Sequence, residues 1–242
     1  MRLSMAKVLE RGRAAGRCPL LLASLVLLTG IATAATSTPA QRVYLELATS
    51  PDGRLVASVE GNSPASGGSP VLRELMIRSS DGLRETTLPL PCGRVAECWP
   101  SAVAWTPDGS RLSFALRTPG SHARSIYQVR PDGRELKRLL AFDGTIRALH
   151  YAPNGQLAML ATAGATKEVG AVEAGAPISG DIDADTPSQR LAVLDPGQQK
   201  LRWVSRDGLY VYEDDWIPGA RGFVATAAPG DGDRMWWVAK LY

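Results

Sequence analysis

One short motif, repeated, constrains this 242-residue chain more than anything in its composition. It stands at Ser50-Pro51-Asp52-Gly53-Arg54, Thr106-Pro107-Asp108-Gly109-Ser110 and Ala152-Pro153-Asn154-Gly155-Gln156, each time between short β-prone runs. Proline presets φ at the second turn position, Asp or Asn tolerates the third, and glycine takes the left-handed position that closes a hairpin. Each copy therefore predicts two antiparallel strands joined tightly. A second turn alternates with the first, at Ser80-Asp81-Gly82, Pro131-Asp132-Gly133 and Asp195-Pro196-Gly197.

The two turns together predict a unit of strand, turn, strand, loop, strand, turn, strand. Positions 52, 108 and 154 stand 56 and then 46 residues apart, near the roughly 40–50 residues of a propeller blade. In Val103-Ala104-Trp105 and Leu112-Ser113-Phe114-Ala115-Leu116 the larger apolar residues alternate, as in strands that pack one face on a neighbouring sheet. No stretch after residue 40 carries a comparable helical stripe. The expectation is an all-β chain, a β-propeller of four-stranded blades over residues 35–242, with blades near 41–90, 91–141 and 142–205 and an incomplete one at 206–242. Arg234 to Tyr242 reads as a third strand left without a partner, an apolar and aromatic edge. Propellers close with about four to eight blades, so about three and a half predict a piece of a longer protein.

The N-terminus predicts export. Arg2, Lys7, Arg11, Arg13 and Arg17 precede an apolar run from Leu20 to Leu28, and Ala32 and Ala34 fit cleavage after Ala34. The run is shorter than the about 20 apolar residues of a spanning helix, and Cys18 lies before it, where a lipid anchor is not expected. Residues 1–34 thus read as a signal peptide, and the remainder as periplasmic or secreted with no membrane anchor. Removing them turns the net charge from +3 to −1, which leaves no basic face for nucleic acid. Cys92 and Cys98 remain, in a loop with Pro89, Pro91 and Pro100; in an oxidising compartment they are expected to form a disulfide. A metal site needs a second ligand pair, which the chain does not offer.

Catalytic material is sparse. His150 reads as a structural strand histidine and His122 as a solvated loop residue. No Gly-x-Ser-x-Gly elbow occurs; Gly61-Asn62-Ser63-Pro64-Ala65 lacks the closing glycine. Asp181, Asp183 and Asp185 have the opening spacing of a calcium loop, but Thr186 and Ala192 stand where it needs Gly and Glu. The segment Lys167 to Gln189, with five acidic residues against one lysine, reads instead as an acidic surface loop. No redox, nucleotide or metal cofactor is expected. Tyr210-Val211-Tyr212-Glu213-Asp214-Asp215-Trp216 falls on the innermost strand of the fourth blade. Alternation puts Val211, Glu213 and Asp215 on one face and Tyr212, Asp214 and Trp216 on the other. Glu213 and Asp215 are the candidate ligand-binding groups, placed to attract a cation such as a peptide amino terminus; the alternative is that they satisfy neighbouring polar groups.

The Pro-Asp-Gly turns, Ser125 to Val129 leading into Pro131-Asp132-Gly133, and Tyr210 to Trp216 followed by Gly222 to Thr226 and Gly230 to Val238 resemble the N-terminal propeller of secreted bacterial serine peptidases of the prolyl oligopeptidase family. Acylaminoacyl peptidases and dipeptidyl aminopeptidases belong to it. The resemblance covers residues 41–242 and implies a non-catalytic propeller that gates access of peptide substrates to a hydrolase domain. It also implies that acidic residues such as Glu213 or Asp215 hold a substrate's amino terminus. The chain ends before any hydrolase domain, so no catalytic residue carries over. The turn motifs are shared by other periplasmic propellers such as that of the Tol-Pal system, which keeps open a stand-alone protein-binding scaffold.

Overall fold

A computed structural model of the chain describes residues 41–63, 72–92, 98–118, 121, 123–165, 188–230 and 235–242. Residues 1–34, read above as a signal peptide, His122 and the Asp181, Asp183, Asp185 run lie outside the described residues.

The first turns at Ser50 and Thr106 form because their side chains satisfy their own backbone. The Gly53 N–H donates to Ser50 O at 2.9 Å and the Gly109 N–H to Thr106 O at 2.8 Å. The hydroxyls of Ser50 and Thr106 donate to Asp52 and Asp108 at 2.6 Å and accept the N–H of Leu55 and Arg111. These bonds favour the carboxylate: the Thr106 and Ser110 hydrogen bonds hold Asp108 down at about 2. The fourth copy, Ile217-Pro218-Gly219-Ala220, lacks the acid and closes as a Pro-Gly turn, with Gly219 at φ 82° and the Ala220 N–H on Ile217 O at 3.1 Å. The second turn also varies. Gly82 and Gly133 take positive φ as expected, but between Asp195 and Lys200 it is Gln199, at φ 52°, that does so. There the Asp195 carboxylate accepts the N–H groups of Gly197 and Gln198, which moves the left-handed residue two places on.

These hairpins stack strands in chain order. β1 (Gln41–Thr49), β2 (Leu55–Ser63), β3 (Leu72–Ser79) and β4 (Glu85–Thr87) form one antiparallel sheet. A seven-stranded ladder follows, of β5 (Trp99–Trp105), β6 (Leu112–Arg117), β7 (Ala123–Val129), β8 (Lys137–Tyr151), β9 (Leu157–Ala163), β10 (Arg190–Asp195) and β11 (Lys200–Trp203). It is two four-stranded units in one, because β8 does double duty. Residues Lys137 to Asp143 pair with β7, and Gly144 to Tyr151 pair with β9. The last sheet holds β12 (Leu209–Trp216), β13 (Phe223–Pro229) and β14 (Lys240–Leu241). A disulfide joins Cys92 to the buried Cys98, carrying the chain from the first sheet into β5.

Met235 to Tyr242, the described part of the Arg234 to Tyr242 run, departs from the expected continuous strand. Trp236–Val238 is a 3-10 turn, closed by the Ala239 N–H on Trp236 O, and only Lys240 and Leu241 join β13, opposite Ala227 and Thr226. An aromatic run becomes a strand only where a partner backbone lies alongside, and β13 offers that to its last residues alone.

The core lies between the sheets, and alternation decides which side a residue serves. On β6, Leu112, Phe114 and Leu116 pack with Ala57, Val59, Leu75 and Ile77 of the first sheet. Ala115 turns the other way, into a cluster with Ile126, Ile146, Leu149, Leu157 and Met159. The joint to the last sheet is thinner: Leu160, Val211 and Ala227, beside a cavity of about 580 Å³ that Val193 and Phe223 also line.

Candidate functional site

The first strand of each of the three four-stranded units, and of the three-stranded last sheet, runs directly into a Pro-containing turn, and these strands come together around one open cavity of about 980 Å³. Every one of them carries a bulge: at Leu45 in β1, between Ser101 and Ala104 in β5, at Arg147 in β8 and at Tyr212 in β12. A bulge inserts one residue against none on the partner, bends the strand and breaks the two-residue alternation. On β12 this corrects the alternation expected from the sequence. Tyr212 is the extra residue, and Tyr212, Glu213 and Asp214 all line the cavity.

Of the two candidate carboxylates, Glu213 is on the cavity wall and exposed. Asp215 is exposed away from the lining residues, where its own carboxylate accepts the Trp216 N–H at 2.7 Å. The neighbour between them is the buried one. The Asp214 side chain is only 1 % exposed and its Oδ2 lies 3.3 Å from Nδ1 of His150, across the thin joint between β8 and β12. That hydrogen bond, helped by the charges of Asp214 and Asp215, holds His150 above the ordinary histidine range against the opposing effect of burial. His150 therefore has a named partner, and it also lines the cavity.

The roles of the residues just before three of the four first turns, Trp105, Tyr151 and Trp216, were not read from the sequence. Trp105 donates its indole N–H to Ala48 O, and Trp216 donates to His150 O, both at 3.0 Å. Ala48 and His150 each stand two residues before a first turn, so one device is used twice to tie a unit to the one before it. Tyr151, in the same place in the third unit, shares its hydroxyl with Ser113 at 2.8 Å and Gln128 at 2.9 Å. The signal was an aromatic residue immediately ahead of Thr106, Ala152 and Ile217.

The cavity also gathers arginines that are distant in sequence. Arg73, Arg117, Arg124 and Arg147 line it together with Glu46 and Trp99. The guanidinium of Arg117 lies 3.8 Å and that of Arg73 5.5 Å from the Trp99 ring centroid. Arg124 is 2 % exposed, the largest side chain so completely buried among the described residues. Glu46 accepts the Val103 N–H, at the bulge of β5, at 3.2 Å. No group of three or more metal-ligating side chains is found among the described residues.

No family model matches the chain, and no curated protein matches it in sequence. Solved structures do match in fold. A puromycin-hydrolyzing peptidase of Mycobacterium tuberculosis superposes with a TM-score of 0.54 at 11 % identity, over 83 % of this chain and 29 % of that one. A Bacteroides ovatus protein described as a dipeptidyl aminopeptidase IV gives 0.53 at 11 % identity, over 75 % and 29 %. Dipeptidyl peptidase 4 of Porphyromonas gingivalis gives 0.50 at 12 % identity, over 75 % and 27 %. The chain thus spans under a third of the length of each. Identity this low speaks for fold alone, and with the repeated sheets it makes the described residues part of a β-propeller of four-stranded blades.

Proposed function

We propose that this chain is the propeller portion of a secreted serine peptidase of the prolyl oligopeptidase family, whose hydrolase domain is not within these 242 residues. In this reading the cavity admits short peptides and holds their amino terminus at Glu213. The cavity carries the reading: it is open, about 980 Å³, and presents an exposed carboxylate on its wall. A ligand ammonium finds its strongest hydrogen bonds on an ionised carboxylate. Asp214 is engaged by His150, whereas Glu213 has no ion pair among the described residues. Three similar structures are named as peptidases, two of them dipeptidyl peptidases, and the basic, then apolar, N-terminus supports export.

One observation favours a second role for Glu213. Glu46 stands four residues before Ser50, as Glu213 stands four before Ile217, and Glu46 binds a backbone N–H of the next inner strand. In that role Glu213 ties β12 to an adjoining strand instead of to a ligand. Titration of the full chain with a tripeptide, unblocked and N-acetylated, separates the two. The amine role predicts at least about tenfold weaker binding of the acetylated form, and an equal loss for the unblocked form on Glu213→Gln, the order of a lost charge-assisted bond. Equal affinity for the two peptides would rule it out, and a lower melting temperature with unchanged affinity would support the second role.

A further inference from the structure

The charge of the cavity is divided between sheets. Glu213 and Asp214 belong to β12, while the arginines come from β3, β6, β7 and β8; the one acidic residue on their side of the lining, Glu46 of β1, accepts the Val103 N–H. Two guanidinium groups are drawn to one indole at Trp99, where cation–π attraction offsets part of their mutual repulsion. The Nε of Arg73 is buried with no hydrogen-bond partner among the described residues, an arrangement that costs stability unless something pairs with it. Arg147 is the bulged residue of β8; it is exposed and has no ion pair among the described residues. Cavity walls of low dielectric concentrate the field of such charges, and a planar guanidinium fork matches a carboxylate.

We propose that the arginine side of this cavity, chiefly Arg73 and Arg147 beside Trp99, binds a carboxylate of the peptide. This rests on the cavity receiving peptides, as proposed above. The carboxylate comes either from an Asp or Glu side chain or from the peptide's own C-terminus. A ligand with an amino group at one end and a carboxylate further along matches Glu213 on β12 and the arginines on the other sheets.

The test uses the full chain and four probes: glutarate, an amidated tripeptide with a central Glu, its central Gln counterpart, and an all-alanine tripeptide with a free C-terminus. The Glu peptide is expected to bind at least about tenfold more tightly than the Gln peptide, with an advantage that shrinks as salt rises. Arg147→Gln and Arg73→Gln should each remove most of it, and Arg147 is exposed enough for its variant to fold normally. If the alanine peptide shows the advantage instead, the C-terminal carboxylate is the group bound. Equal binding of all three peptides, insensitive to both substitutions, overturns the carboxylate site and leaves the peptide reading standing. Arginine-dependent binding of glutarate without binding of any peptide does the reverse. No binding of any probe overturns both.

Discussion

Alanine in place of Gly144 is expected to be the most damaging single-methyl change in this chain. Gly144 is the residue at which β8 leaves β7 and joins β9, and it holds φ at 137°, where residues with a side chain are strained. A Cβ there would fall on the Thr162 carbonyl oxygen and come 2.9 Å from Phe142 Cε1 and 3.0 Å from Ala163 Cα. Two of those three neighbours are backbone of the paired strand, so relief requires the ladder itself to open. Strain and overpacking together cost about 3–5 kcal/mol, a large part of the about 5–15 kcal/mol that holds a domain folded. A melt followed by circular dichroism should show a fall of about 10 °C or more, or no folded protein. Gly53→Ala is the control. Gly53 also has positive φ, but nothing lies within 4 Å of its added Cβ, so only the local strain of about 1 kcal/mol is expected. Equal effects of the two would mean that β8 does not pass through Gly144 as described.

Asp214→Ala is expected to loosen the last sheet from the one before it. Few apolar side chains join them, so the Asp214–His150 pair and the Trp216 indole bond to His150 O carry more of the contact than polar groups usually do. Breaking a buried pair costs about 3–5 kcal/mol when both partners are buried. The His150 side chain is 42 % exposed, which lowers the figure to about 1–3 kcal/mol. The pH dependence has a definite sign. Asp214 raises the folded-state pKa of His150 above 6.5, so the stabilisation is fully present below pH 6.5 and is lost as pH rises through the raised value. Amide exchange in β12 and β13 should therefore quicken above neutral pH, over and above its intrinsic rise, and Asp214→Ala should remove that step. A wild-type chain whose local opening energy is flat from pH 6 to pH 9 would contradict the pair's role.

What was legible in the sequence is what is local. A turn such as Thr106-Pro107-Asp108-Gly109 contains its own donors, acceptors and backbone freedom within a few residues, so it can be read without knowing its neighbours. The alternation of Leu112, Phe114 and Leu116 is local in the same sense, and it marks the face that meets the first sheet. The bulges were not legible. Nothing about Arg147 or Tyr212 as residue types marks an inserted position, yet the bulge brings both Glu213 and Asp214 to the cavity. Gly144 misleads in the opposite sense, since a glycine reads as a break and here sits inside the longest strand. Arg73, Arg117, Arg124 and Arg147 belong to four strands, and only the packing of those strands around one cavity brings them together. The Asp214–His150 pair joins residues 64 apart in the chain for the same reason.

The most direct measurement is photo-crosslinking of the full chain with a short unblocked peptide that carries a photoreactive phenylalanine analogue, followed by mass-spectrometric mapping. Adducts are expected on the cavity-facing residues of the inner strands, such as Trp99, Arg147 and Tyr212, suppressed by excess unlabelled peptide. Adducts confined to the exposed aromatic residues Trp236, Trp237 and Tyr242, or spread without competition, would contradict the claim that the cavity is where peptides bind.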